Sequence, residues 1–70
     1  MSATVLILVN GEQREIEAGS SVAELLKALD LPGERIAVER NKRIVRRAEW
    51  SDVVVEAGDS FEIVHFVGGG

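Results

Sequence analysis

Apolar and polar positions follow one another along this chain in short bursts, each with the period of a single element and each ended by turn residues. Thr4 to Val9 is a run of β-branched residues and leucine that stops at Asn10-Gly11. Both central positions of a type I′ turn need positive φ, which asparagine and glycine tolerate, so this pair predicts a hairpin. The returning segment, Glu12 to Glu17, alternates: Arg14, Ile16 and Ala18 fall on one side, and Gln13, Glu15 and Glu17 on the other. That is the pattern of an edge strand with one wetted face. Thr4 to Val9 is apolar on both faces and belongs nearer the middle of a sheet.

The period then changes. Ala18-Gly19 breaks the hairpin, and Ser21-Val22-Ala23-Glu24 has the spacing of a capping box, so a helix is expected to start there. Val22, Leu25, Leu26 and Leu29 fall at i, i+3, i+4 and i+7, one stripe facing a sheet, with Pro32-Gly33 as the expected stop. Ile36 to Glu39 reads as a short strand, Asn41-Lys42 as a turn and Ile44-Val45 as a second short strand. Ala48 to Asp52 has room for a turn or two of helix, with Trp50 as a plug for the core. Val53 to Glu56 is expected to be extended, Ala57-Gly58-Asp59 to turn, and Ser60 to Val67 to form the final strand. Phe61, Ile63, Val64, Phe66 and Val67 make both faces of that strand apolar, which again argues for a central place.

The order predicts an α+β fold of the β-grasp, ubiquitin-like kind: a mixed sheet of four to five strands with one main helix packed on one face. The first and last strands are expected to pair in parallel at its centre. The opposite face of the sheet should then show more apolar surface than a monomer needs, the usual mark of a partner site.

Composition narrows what such a domain can do. Seventy residues make one domain, and a chain this short buries only about 60% of the surface its unfolded form exposes. Without cysteine it has no disulfides, no thiolate nucleophile and no Cys-based metal site, and His65, the lone histidine, cannot build a zinc cluster. With no cysteine, no tyrosine and one histidine, no nucleophile and base pair is evident, so the chain reads as a non-enzyme without a metal or bound cofactor of its own. The longest apolar runs, Val5 to Val9 and Val53 to Val55, are far short of a membrane span, and the N-terminal residues lack the pattern of a secretory signal, so a cytoplasmic location away from membranes is expected. A net charge of −4 argues against nucleic acid as a partner.

The candidate chemistry sits at the C-terminal end. Phe61-Glu62-Ile63-Val64-His65-Phe66-Val67 runs without punctuation into Gly68, Gly69 and Gly70. Residues 1–67 are expected to form the domain and 68–70 a flexible tail. Lacking Cβ atoms, the glycines could thread a narrow channel, and three extended residues reach roughly 10 Å. An α-carboxylate is ionised at neutral pH and can attack an activated phosphate as an oxygen nucleophile. A second feature is basic. Arg40, Lys42, Arg43, Arg46 and Arg47 place five of the eight lysine and arginine residues within eight positions, either a solvated turn or a docking patch for an acidic partner.

Taken together, these residues resemble the ThiS family of sulfur-carrier proteins over nearly the whole chain. The resemblance is carried by the Asn10-Gly11 hairpin, Ser21-Val22-Ala23-Glu24-Leu25-Leu26, Ile36-Ala37-Val38-Glu39-Arg40-Asn41, Ile44-Val45, Arg47 with Trp50, Gly58-Asp59, Phe61-Glu62-Ile63-Val64 and the Val67-Gly68-Gly69-Gly70 end. It implies that Gly70 is adenylated by a ThiF-like, ubiquitin-activating type of enzyme using ATP, converted to a thiocarboxylate, and presented to a ThiG-like thiazole synthase for thiamin biosynthesis. Gly68, Gly69 and Gly70 would thread into the partner, with Arg40, Lys42, Arg43, Arg46, Arg47, Val64 and Phe66 as candidate docking residues. One position departs from the family pattern: Arg46 stands where members usually carry proline. The alternatives are a MoaD-like small subunit of molybdopterin synthase, whose tail commonly carries prolines before the glycines, and a TGS-like β-grasp interaction module whose end would be irrelevant.

Overall fold

The computed structural model describes residues 3–31 and 35–66, and within them the elements follow the expected order. Strands β1 (Thr4–Val9) and β2 (Glu12–Glu17) precede helix α1 (Val22–Ala28). Strands β3 (Ile36–Arg40) and β4 (Arg43–Val45), a 3₁₀ turn at Arg47–Glu49 and strand β5 (Ser60–His65) follow among the described residues. The sheet runs β2-β1-β5-β3-β4, so the last strand is the central one. It lies parallel to β1, through Leu8↔Ser60 and Val9↔Phe61, and antiparallel to β3, from Ile36↔His65 to Arg40↔Phe61.

Two hairpins of the same design build the flanks. In the first, Asn10 and Gly11 have φ of 51 and 84°, and in the second Asn41 and Lys42 have φ of 51 and 70°. Both tips thus take the left-handed pair that a two-residue hairpin turn requires. The expected edge strand is an edge: on β2 only Ile16 is buried, opposite Val5.

Helix α1 begins as its sequence spacing predicts. Glu24 N–H donates to Ser21 Oγ at 3.1 Å, and Ser21 N–H donates to Glu24 Oε1 at 2.9 Å, so both arms of the capping box are made. Val22, Leu25 and Leu26 are buried against Ile7, Val38 and Phe61, and Leu29 packs at the margin. The helix ends before the expected stop, Pro32-Gly33, which lies outside the described residues. Asp30 turns left-handed at φ 58°, its N–H donates to Lys27 O, and Leu31 N–H reaches back to Leu26 O, closing the free carbonyls before Pro32 is reached.

The segment expected to be extended at Val53 to Glu56 makes only an isolated bridge, Val54 to Ser21. Its partner is the short stretch Ser20 to Val22, which enters α1 at once and leaves no room for a longer ladder. Trp50 is the expected plug: it is buried, and its indole N–H donates to Val45 O at 3.0 Å. Among the described residues, no helix is long and apolar enough to cross a membrane.

Candidate functional site

The site is built around β5, because this strand leads directly toward Val67 and the three glycines, which lie outside the described residues. Its start is held by a buried carboxylate. Asp59, 5% exposed, accepts from Arg40 Nε and Glu56 N–H at 2.8 Å each and from Asn41 Nδ2 at 3.2 Å. Burial alone would raise its pKa, but the hydrogen bonds from Glu56, Arg40 and Asn41, with the Arg40 charge, outweigh burial and hold it below the ordinary 3.8. Its own carbonyl accepts from Leu8 N–H at 2.9 Å, which ties the turn to β1.

The two hairpin asparagines grip the same strand. Asn41 donates its N–H to Ser60 O at 2.7 Å and accepts from Ser60 N–H through Oδ1 at 3.0 Å. Asn10 donates its N–H to Phe61 O at 2.8 Å, accepts from Ile63 N–H at 2.9 Å and donates through Nδ2 to Ile63 O at 3.3 Å. Sequence reasoning identified these asparagines as turn residues and Asp59 as part of a turn. Their second roles depend on partners up to 53 positions away, a separation that no local pattern reports.

The sheet face turned away from α1 is apolar at its centre. Leu6, Leu8, Ile44, Val64 and Phe66 are each between 37 and 72% exposed. Ala37 lies opposite Val64, and a dimple of about 210 Å³ opens beside Leu6, Leu8 and Gly58. Acidic residues border this patch: Glu39 sits opposite Glu62, and Glu15 opposite Leu6. Such a face, apolar inside and charged at the rim, has the composition of a docking surface.

The five basic residues of the cluster have different surroundings. Arg40 is engaged by Asp59 and lies 3.8 Å from Glu56, which makes it a strut of the β5 anchor. Arg43 and Arg40 line a shallow groove of about 360 Å³ with Ile44 and Glu49, whereas Lys42 caps the β3–β4 turn. Arg47 lies over the Trp50 ring at 5.5 Å, a cation–π contact. Arg46 has φ of −70°, the value a proline would impose, and its N–H donates to Glu49 Oε1 at 3.2 Å. The departure from proline therefore keeps the backbone course and adds a hydrogen bond.

The strand order, with one helix across one face and the last strand at the centre, defines a ubiquitin-like β-grasp protein. The model of the ThiS family matches residues 7–70. The chain belongs to the ThiS family. It is 34% identical over 64 residues to the sulfur carrier protein ThiS of Escherichia coli, covering 91% of this chain and 97% of that one. It is 45% identical over 64 residues to a thiazole synthase of Magnetococcus marinus, of whose length it spans only 20%. The crystal structure of the ThiS thiamine biosynthesis protein from Geobacter metallireducens superimposes with a TM-score of 0.83 at 32% identity, covering 94% of this chain and all of that one.

Proposed function

We propose that this chain is a sulfur carrier for thiazole formation in thiamin biosynthesis, and that the carrier atom is held on Gly70. The observation that supports it best is the family match, which runs from β1 through the glycines and so includes the residues that would do the chemistry. A carboxylate is a poor electrophile, so sulfur can be placed on it only after a leaving group is installed. In the first step the Gly70 carboxylate oxygen attacks the α-phosphate of ATP on a ThiF-like enzyme, forming an acyl-adenylate and releasing pyrophosphate. In the second, a sulfur donor displaces AMP and leaves a thiocarboxylate. The chain supplies no catalytic side chain to either step and binds no cofactor of its own.

The receiving partner is a ThiG-like thiazole synthase. Relatives named thiazole synthase contain a region similar to this chain within a protein about five times its length, which supports pairing this chain with a thiazole synthase. The face carrying Leu6, Leu8, Val64 and Phe66 is the docking surface of this reading, and its acidic rim selects partners with basic borders. Lys42, Arg43, Arg46 and Arg47 form a second contact area, facing acidic groups.

Removing Gly70 tests the proposal. The shortened chain should fold as before, with an unchanged unfolding midpoint, yet support no exchange of pyrophosphate into ATP by the ThiF-like enzyme. Undiminished exchange would assign the glycine end no part in the reaction and favour an interaction module instead.

A further inference from the structure

Asn10 and Gly11 form the exposed tip of the first hairpin. A side chain built on Gly11 would meet nothing within 4 Å, so the φ of 84°, and not packing, is what demands glycine there. That choice leaves the Gly11 amide nitrogen with no side chain to shield it from the carboxamide of the residue before it. Asparagine is among the chemically labile residues, and an unhindered amide nitrogen next to it is what its cyclisation needs. The second hairpin has asparagine at the same place, Asn41 with φ of 51°, but there the next residue is Lys42. The lysine side chain crowds the nitrogen that glycine leaves open.

The fold restrains both asparagines. Asn10 accepts from Ile63 N–H through Oδ1 at 2.9 Å and donates through Nδ2 to Ile63 O at 3.3 Å. Asn41 accepts from Ser60 N–H through Oδ1 at 3.0 Å and donates through Nδ2 to Asp59 Oδ1 at 3.2 Å. Each carboxamide thus has its acceptor and its donor engaged at once, which fixes its plane.

We propose that Asn10 is a site of spontaneous covalent modification in this protein, and that the pairing of its carboxamide with Ile63 keeps the site silent in the folded chain. The Gly11 amide nitrogen, deprotonated by hydroxide, attacks Asn10 Cγ. The bond from Gly11 N to Cγ forms, the Cγ–Nδ2 bond breaks, and ammonia leaves after taking a proton from water. Water then opens the cyclic imide at one carbonyl or the other, giving aspartate or isoaspartate at position 10. The net change replaces one NH by one O and involves no oxidant or reductant. Before the attack, the carboxamide must rotate until Cγ turns its face to Gly11 N, and that rotation breaks both bonds to Ile63. Either product loosens the hold of the hairpin on β5. Aspartate faces Ile63 O without a donor, and isoaspartate lengthens the backbone of a tight turn by one carbon. None of this depends on the carrier reading, since only the hairpin and β5 take part.

The test follows the full 70-residue chain at mildly alkaline pH, in native buffer and in denaturing urea, by intact mass and fragmentation. In urea the replacement of NH by O is expected at Asn10 ahead of Asn41. In native buffer it should be slower at Asn10 by on the order of tenfold, because two hydrogen bonds must open first. The same opening frees the Ile63 amide, so its protection against hydrogen exchange should be of similar size. Global unfolding would impose a protection of about a thousandfold or more. Equal rates at Asn10 and Asn41 in urea would overturn the assignment of the site. Equal rates at Asn10 in the two buffers would overturn the protection by Ile63. Protection of Asn10 as large as that of global unfolding would also overturn it, since the whole fold would then be the guard.

Discussion

The carboxylate of Asp59 accepts three hydrogen bonds in the space between the β3–β4 hairpin and the turn that leads into β5. Asp59→Asn would turn an amide N–H either toward Asn41 Nδ2 or toward both Arg40 Nε and Glu56 N–H, and in each case leave donors facing donors. A buried hydrogen bond to a charged group is worth about 2 kcal/mol, so Asp59→Asn should lower stability by about that amount in denaturant unfolding. The pH dependence has a defined sign. Because the folded pKa lies below the ordinary 3.8, the contribution of Asp59 is fully present above that value and is lost as pH falls through the folded value. Wild type should therefore destabilise more steeply than Asp59→Asn on acidification below about pH 4, and parallel acid limbs would contradict this account of the anchor. In the sequence, Gly58-Asp59 shows a turn and nothing more. The partners, Arg40 and Asn41, are 19 and 18 positions away, and only the folded sheet brings them within reach.

At the scale of elements, a start signal is legible wherever the residues that satisfy it are adjacent in sequence. The capping box of α1 is such a case, because Ser21 and Glu24 answer each other's free N–H groups without help from the rest of the chain. Ser21→Ala should lower stability by about 1 kcal/mol. For a domain of this size, that corresponds to a thermal midpoint lower by about 4–8 °C, readable by circular dichroism. The Asn10-Gly11 hairpin, the edge place of β2 and the central, parallel place of β5 were readable for the same reason: turn chemistry and two-sided apolarity are local properties. The end of α1 was not. Asp30 adopts a left-handed conformation ahead of Pro32-Gly33, since asparagine and aspartate are the residues other than glycine that take it at low cost. Nor was the brevity of the Val53 to Glu56 pairing readable, because it depends on how few residues its partner can spare before α1 begins.

For the whole molecule, the sheet has two unlike faces, one sealed by α1 and the other presenting Leu6, Leu8, Val64 and Phe66 to solvent beside the strand that leads to the glycines. An exposed patch of that kind on the strand that leads to the glycines suits the proposed carrier, which would be read by its partners through one surface and acted on at one atom. Val64→Glu adds charge where Val64 is 54% exposed, so unfolding stability should change by no more than about 0.5 kcal/mol. Binding to the ThiF-like enzyme should weaken by roughly tenfold or more, measured by titration calorimetry, because an anchor at the middle of a docking face is lost. Unchanged affinity would move the docking surface to the basic side around Arg43 and Arg47. The chemistry itself is tested most directly by the intact mass of the 70-residue chain after incubation with the ThiF-like enzyme, ATP and a sulfur donor. The account predicts replacement of one oxygen by one sulfur, localised by fragmentation to Gly70. An unaltered mass, with the same enzyme preparation converting another ThiS carrier, would contradict it.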